Sequence, residues 1–142
     1  MSTLPTETLK ITIAAPFERV VSDLADGRSH GEWATEFFAG PVSDAGDGSF
    51  RAVVPAMGGP SRMRISADIG LGVIDLYLAP EGKPFGPPLP VRVVRNGNGA
   101  DVLWTLARFP GTPDAAWDEA LASMERELES LRARLESSPG SR

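Results

Sequence analysis

The sequence predicts an α+β domain in which a curved antiparallel sheet of six to seven strands wraps around a long C-terminal helix. Three observations carry this prediction. Residues 8–14 alternate like a half-buried strand, and two short helical patterns follow them. From Gly40 to Phe109 the apolar period is two, punctuated by Gly, Pro, Asn and Asp. The chain then finishes on one amphipathic helix, the only element large enough to cover the apolar face of such a sheet.

In the first strand Leu9, Ile11 and Ile13 share one face, and Lys10 and Thr12 the other. Pro16 suits the first turn of a helix. Phe17, Val20, Val21 and Leu24 follow at i, i+3, i+4 and i+7, a single apolar stripe. Asp26-Gly27 ends that helix, and a second is predicted from His30 to Phe38, with Trp33 and Phe37 one turn apart. Strands are predicted near Pro41–Ser43, Ser49–Val54, Arg62–Ile69, Val73–Leu78, Val91–Arg95 and Asp101–Phe109. Gly46-Asp47-Gly48 and Asn96-Gly97-Asn98-Gly99 read as hairpin turns. The proline-rich Pro80–Pro90 reads as a stiff loop. Thr112 is the expected N-cap of the last helix, with Pro113 at its first position and Asp114 complementing its dipole. Trp117, Leu121, Met124, Leu128, Leu131 and Leu135 then form its apolar stripe, and Ser137 to Gly140 stop it. The whole of 1–142 is a single domain with no internal repeat, and 1–6 and 138–142 are expected to be flexible tails.

Ala15-Pro16, Glu18-Arg19-Val20, Leu24-Ala25-Asp26 and Trp33 fall in a recognisable order within Ile11 to Phe38. With the long last helix, this stretch resembles the START-like (SRPBCC) superfamily of polyketide cyclases, lipid-transfer domains and birch-pollen-type allergens. The resemblance covers nearly the whole chain and implies a helix-grip fold, with a ligand cavity between the sheet and the last helix. It specifies the reaction poorly, because these motifs are structural.

Alternation identifies the inward faces. Met63, Ile65, Ala67 and Ile69 oppose Arg62, Arg64, Ser66 and Asp68; Ile74, Leu76 and Leu78 oppose Asp75 and Tyr77. On the last strand Val102, Trp104 and Leu106 point inward. Taken alone, such stripes also describe a solid core; the resemblance is what implies a cavity. Its expected ligand-binding residues are Trp33, Phe37, Met63, Ile65, Leu76, Trp104, Leu106, Trp117, Leu121 and Met124. Met57 and Phe85 are expected as lid side chains over its mouth.

Composition narrows the partners. The 142 residues are 42% hydrophobic with a net charge of −5 and no cysteine. Disulfides, thiolate catalysis and cysteine-ligated metals are excluded. Lys10 and Lys83 are the only lysines and arginine is scattered, so nucleic acid is not an expected partner. No apolar run is long enough for a signal core or a membrane span, which makes the cytoplasm the default address. No metal or cofactor is expected. The expected partner is a small hydrophobic molecule, with a homodimer left open.

Catalytic candidates are weak. His30 is the only histidine, near Glu32 and Glu36 in sequence, and the favoured reading makes it solvent-facing. Glu36, Arg95 and Arg108 complete the set, the two arginines as inward charges at strand ends. Gly58-Gly59 is a hairpin end, with no helix after it to make a phosphate loop. Three functions remain: carrier or sensor of a small hydrophobic molecule, favoured; a cyclase, aromatase or dehydratase using the same cavity; and an interaction module like the superfamily's chaperone-ATPase activators, for which Phe85 is the visible apolar residue.

Overall fold

The computed structural model describes residues 2–137. Strand β1 (Thr6–Ile13) is followed by helices α1 (Phe17–Ala25) and α2 (Gly27–Trp33), then β2 (Ser43–Asp44) and β3 (Phe50–Val54). A short 3-10 turn, Pro55–Met57, leads into β4 (Gly59–Asp68), β5 (Val73–Pro80), β6 (Leu89–Asn96) and β7 (Gly99–Ala107). Helix α3 (Asp114–Ser137) closes the described chain. The seven strands form one antiparallel sheet in the order β1-β7-β6-β5-β4-β3-β2. Every neighbour except β1 is a hairpin partner. Helices α1 and α2 therefore carry the chain from one edge of the sheet to the other.

The α1 stripe is buried as its spacing requires: Phe17, Val20, Val21 and Leu24 all lie in the core. Helix α2 starts earlier and ends earlier than its apolar pair suggests. The Asp26 carboxylate accepts the Arg28 backbone N–H, so the residue that stops α1 also caps α2. Phe37 and Phe38 consequently lie in a turn after α2 and not on it.

Strand β1 begins at Thr6, within the stretch expected to be a tail, because Thr6 pairs with Ala107 and the Pro5 carbonyl accepts the Arg108 N–H. Residues 138–142, the other expected tail, lie outside the described residues. The β6–β7 hairpin turns through Gly97 at φ +56°, between the paired Asn96 and Gly99. Pro90 belongs to β6, opposite Asp75, and the β5–β6 ladder stops at Leu76↔Leu89. On that side β5 runs on from Tyr77 to Pro80 without a partner. Ile69, predicted inside, is exposed, since β4 ends at Asp68 and Ile69 sits in the turn. Ala67, placed on the same face, is also exposed.

Helix α3 does not begin as expected. The Thr112 hydroxyl donates to the Phe109 carbonyl at 2.9 Å and caps nothing, while the Pro113 carbonyl takes the first helical bond, from the Trp117 N–H at 3.0 Å. Its far half is the firmly held one. Leu128, Leu131 and Leu135 are buried, Arg19 Nη1 donates to the Leu135 carbonyl, and Glu136 Oε2 accepts the Ala14 N–H.

Candidate functional site

Towards its N-terminal half α3 stands off the sheet and leaves a cavity of about 350 Å³. The floor comes from the inward faces of the sheet: Met63, Leu76, Leu78, Leu89, Trp104 and Leu106. One wall is the end of α2 and its following turn, with His30, Trp33, Ala34, Phe37 and Phe38. The other is α3, through Ala120, Ser123, Met124 and Glu127. Of the sequence-predicted ligand-binding residues, Trp33, Phe37, Met63, Leu76, Trp104, Leu106 and Met124 meet here. Ile65, Trp117 and Leu121 do not: each is half-buried and outside the lining. Met57 packs on the core without lining the cavity, although its neighbour Ala56 does.

Phe85 is no lid. It lies against outward-facing Tyr77, with ring centroids 6.2 Å apart, beneath the guanidiniums of Arg62 and Arg64 at 4.6 and 5.2 Å. That cover also removes it as an apolar interaction patch. Among the described residues the exposed large hydrophobics are Leu4, Val53, Val94 and Phe109, with Ile69 and Leu71 in the β4–β5 turn.

The chemical candidates are redistributed. His30 is 1% exposed and contributes to the cavity wall, against the expectation of a solvent-facing residue. Its Nε2 lies 2.8 Å from the Leu24 carbonyl. A carbonyl only accepts, so Nε2 carries the proton and Nδ1 keeps a lone pair. Burial lowers the His30 pKa below 6.5, against the opposing pull of the Leu24 bond and of Asp23 and Asp26. Trp33 stacks tilted beside it at 5.3 Å and meets Trp104 edge-to-face at 5.5 Å. Both indole N–H groups are buried without a hydrogen-bond acceptor among the described residues.

Arg95 and Arg108 are not inward charges. Arg95 pairs with Glu18 at 2.9 Å and covers the Phe17 ring, so it sits over the outer end of α1. Arg108 donates to the Thr112 carbonyl and Asp114, fastening the turn before α3. Glu36 reaches the cavity rim but is held by Arg126 in a two-bond pair, at 2.8 and 2.7 Å, and by the Ser123 hydroxyl at 2.7 Å. These partners lower its pKa to about 2, which makes it a poor base.

The group that sequence reasoning missed is Glu127. It is 5% exposed, and its Oε2 accepts the backbone N–H groups of Glu36 and Phe37, both at 2.9 Å. Burial is the main cause that raises its pKa, the nearby Glu36 charge adds to it, and the two N–H donors and Arg126 oppose it. The signal was present: position 127 lies three residues after Met124 and four before Leu131, inside the apolar face of the helix.

A second depression, of about 530 Å³, lies between α1, α2 and the end of α3. It is an open surface in which Arg28 pairs with Asp26, Arg134 pairs with Asp23 and Arg19 donates to the Leu135 carbonyl, while Glu32 also lines it. Among the described residues no cluster of His, Asp or Glu could hold a metal ion, and no helix is long and apolar enough to cross a membrane.

No protein-family model and no curated protein matches the sequence. Solved structures do. The chain is similar to the Aha1 dimer from Colwellia psychrerythraea at TM-score 0.70 and 17% identity, over 96% of this chain and 100% of that one. It is similar to a START superfamily protein from Mycobacterium smegmatis at TM-score 0.64 and 16% identity, covering 92% and 97%. CalU16 from Micromonospora echinospora matches at TM-score 0.59 and 19% identity, covering 96% and 78%. With the seven-stranded curved sheet, the two short helices after β1 and the long final helix, these likenesses give the chain the START-like helix-grip fold.

Proposed function

We propose that the chain binds a small apolar molecule in the cavity between the sheet and α3, as a carrier or sensor. The observation that supports this is the cavity itself: about 350 Å³ of space lined by Met63, Leu76, Leu78, Leu89, Leu106 and Met124 where α3 could have packed down. Interiors normally close such space, because it forfeits packing contacts. Titration with a neutral fluorescent probe such as Nile red tests the reading. Micromolar affinity, about −8 kcal/mol, is expected. Met63→Trp, which fills the floor, is expected to abolish it while the fold persists. Binding unaffected by Met63→Trp would place the probe elsewhere and reject the cavity.

A second reading, a cyclase- or dehydratase-type enzyme, is favoured by one feature: a buried carboxyl with a raised pKa, Glu127, shares the lining with a neutral His30. Such a pair suits proton transfer near neutral pH. A turned-over substrate whose kcat falls a hundredfold or more in Glu127→Gln would establish it over the carrier.

A further inference from the structure

The charge of the cavity wall is one-sided. Among the described residues that line it are two carboxylates, Glu36 and Glu127, and no Lys or Arg. Glu36 is already neutralised by Arg126. Glu127 is not: Oε2 takes the two backbone N–H groups, and Oε1 has no hydrogen-bond partner among the described residues. Arg126, one residue away on α3, turns its guanidinium to Glu36 and Glu119 instead.

Any ligand carrying an anionic head would meet the Glu127 carboxylate and, among the described lining residues, no free cation in a partly desolvated wall, where charge repulsion is weakly screened. A cationic head meets the opposite situation. It finds an unengaged carboxylate oxygen for a charge-assisted hydrogen bond. It also finds Trp33 and Phe37 on the facing wall and Trp104 on the floor, and aromatic faces attract ammonium groups. The net charge of −5 draws cations towards the molecule as a whole.

Resting on the reading of this space as a ligand cavity, we propose that its ligand is an apolar amine, with the ammonium at Glu127 Oε1 and the hydrocarbon body over Met63, Leu76 and Leu106. Glu127 is then the specificity-determining residue, and the aliphatic floor sets only the size of the body.

The test is displacement of Nile red by a matched series, dodecylamine, dodecanol and dodecanoate, below their micelle concentrations and in salt of about 0.5 M to screen surface attraction. The amine is expected to bind at least about tenfold more tightly than the carboxylate, with the alcohol between them. Glu127→Gln is expected to erase most of that ratio, with circular dichroism reporting whether the fold survives. Ala120→Lys, an exposed helix position on the cavity wall, gives an independent arm and is expected to shift preference towards dodecanoate. Equal binding of all three, or tighter binding of dodecanoate, overturns the amine proposal and leaves the cavity reading intact. Failure of all three to displace a probe whose binding Met63→Trp abolishes overturns the amine proposal alone, whereas a probe unaffected by Met63→Trp overturns both.

Discussion

Glu127 Oε2 accepts the Phe37 backbone N–H at 2.9 Å, which ties the turn after α2 to the middle of α3 directly across the cavity. The same oxygen holds Glu36, and the Glu36 side chain returns to Ser123 and Arg126 on the same helix. One turn of irregular chain is thus clamped to one helix face, and the cavity wall depends on that clamp.

The clamp has a pH signature. The folded pKa of Glu127 is raised above the usual 4.5. A raised carboxyl contributes stability that is fully present below the unfolded value and is lost as pH rises through the folded one. Subtracting the urea-derived stability of Glu127→Gln from that of the wild type is therefore expected to give a difference that falls as pH rises from 4.5. A difference that rises across that window would contradict the burial.

His30 behaves in the opposite sense. Its folded pKa is below 6.5, so its contribution is present above that value and is lost on acidification through the folded pKa. As the only histidine, it gives an unambiguous Hε1 resonance. Proton NMR titration is expected to place its midpoint below 6.5, and a midpoint at or above that value would mean the ring is solvated.

The two halves of α3 differ in what they cover. Leu131→Ala, at a side chain with no exposure, is expected to cost about 2–5 kcal/mol. Leu121→Ala, half-buried and outside the cavity, is expected to cost less than about 1.5 kcal/mol. Equal losses in urea melts would remove the distinction between a packed and a standing-off half.

Gly72 carries a backbone constraint. At φ +68° an added Cβ would stand 2.2 Å from the Val93 carbonyl oxygen, and the Val93 N–H donates to the Gly72 carbonyl at 2.8 Å, which holds the two backbones together. Gly72→Ala is expected to lower stability by about 2 kcal/mol or more. Gly97→Ala, in an open turn, keeps only the positive-φ strain and is expected to cost clearly less. Thermal melts of the two variants compare them.

The sheet was legible because alternation records a face directly: Met63, Leu76, Val102 and Trp104 point where their neighbours Arg62, Asp75, Asp101 and Thr105 do not. What alternation does not record is how far each face extends, which is why Ala67 and Ile69 are on or near the right face and exposed. The site was less legible. His30 reads as a surface residue from its polar neighbours, yet Asp26 caps α2 and brings it over the Trp33–Trp104 pair, so His30→Ala removes a core ring. The position of Glu127 on the apolar face of α3 was legible, but its charge reads as solvent-facing. The donors that hold it come from a distant turn, which no local pattern announces.

The Trp33–Trp104 contact also gives the protein a built-in optical reporter. Two indoles 5.5 Å apart at 87° couple their electronic transitions and yield a near-ultraviolet dichroism signal that depends on their mutual angle. Both rings line the cavity, whereas Trp117 lies outside its lining. Whatever enters that space perturbs a chiral chromophore already in place, so occupancy can be followed on unlabelled protein by light alone.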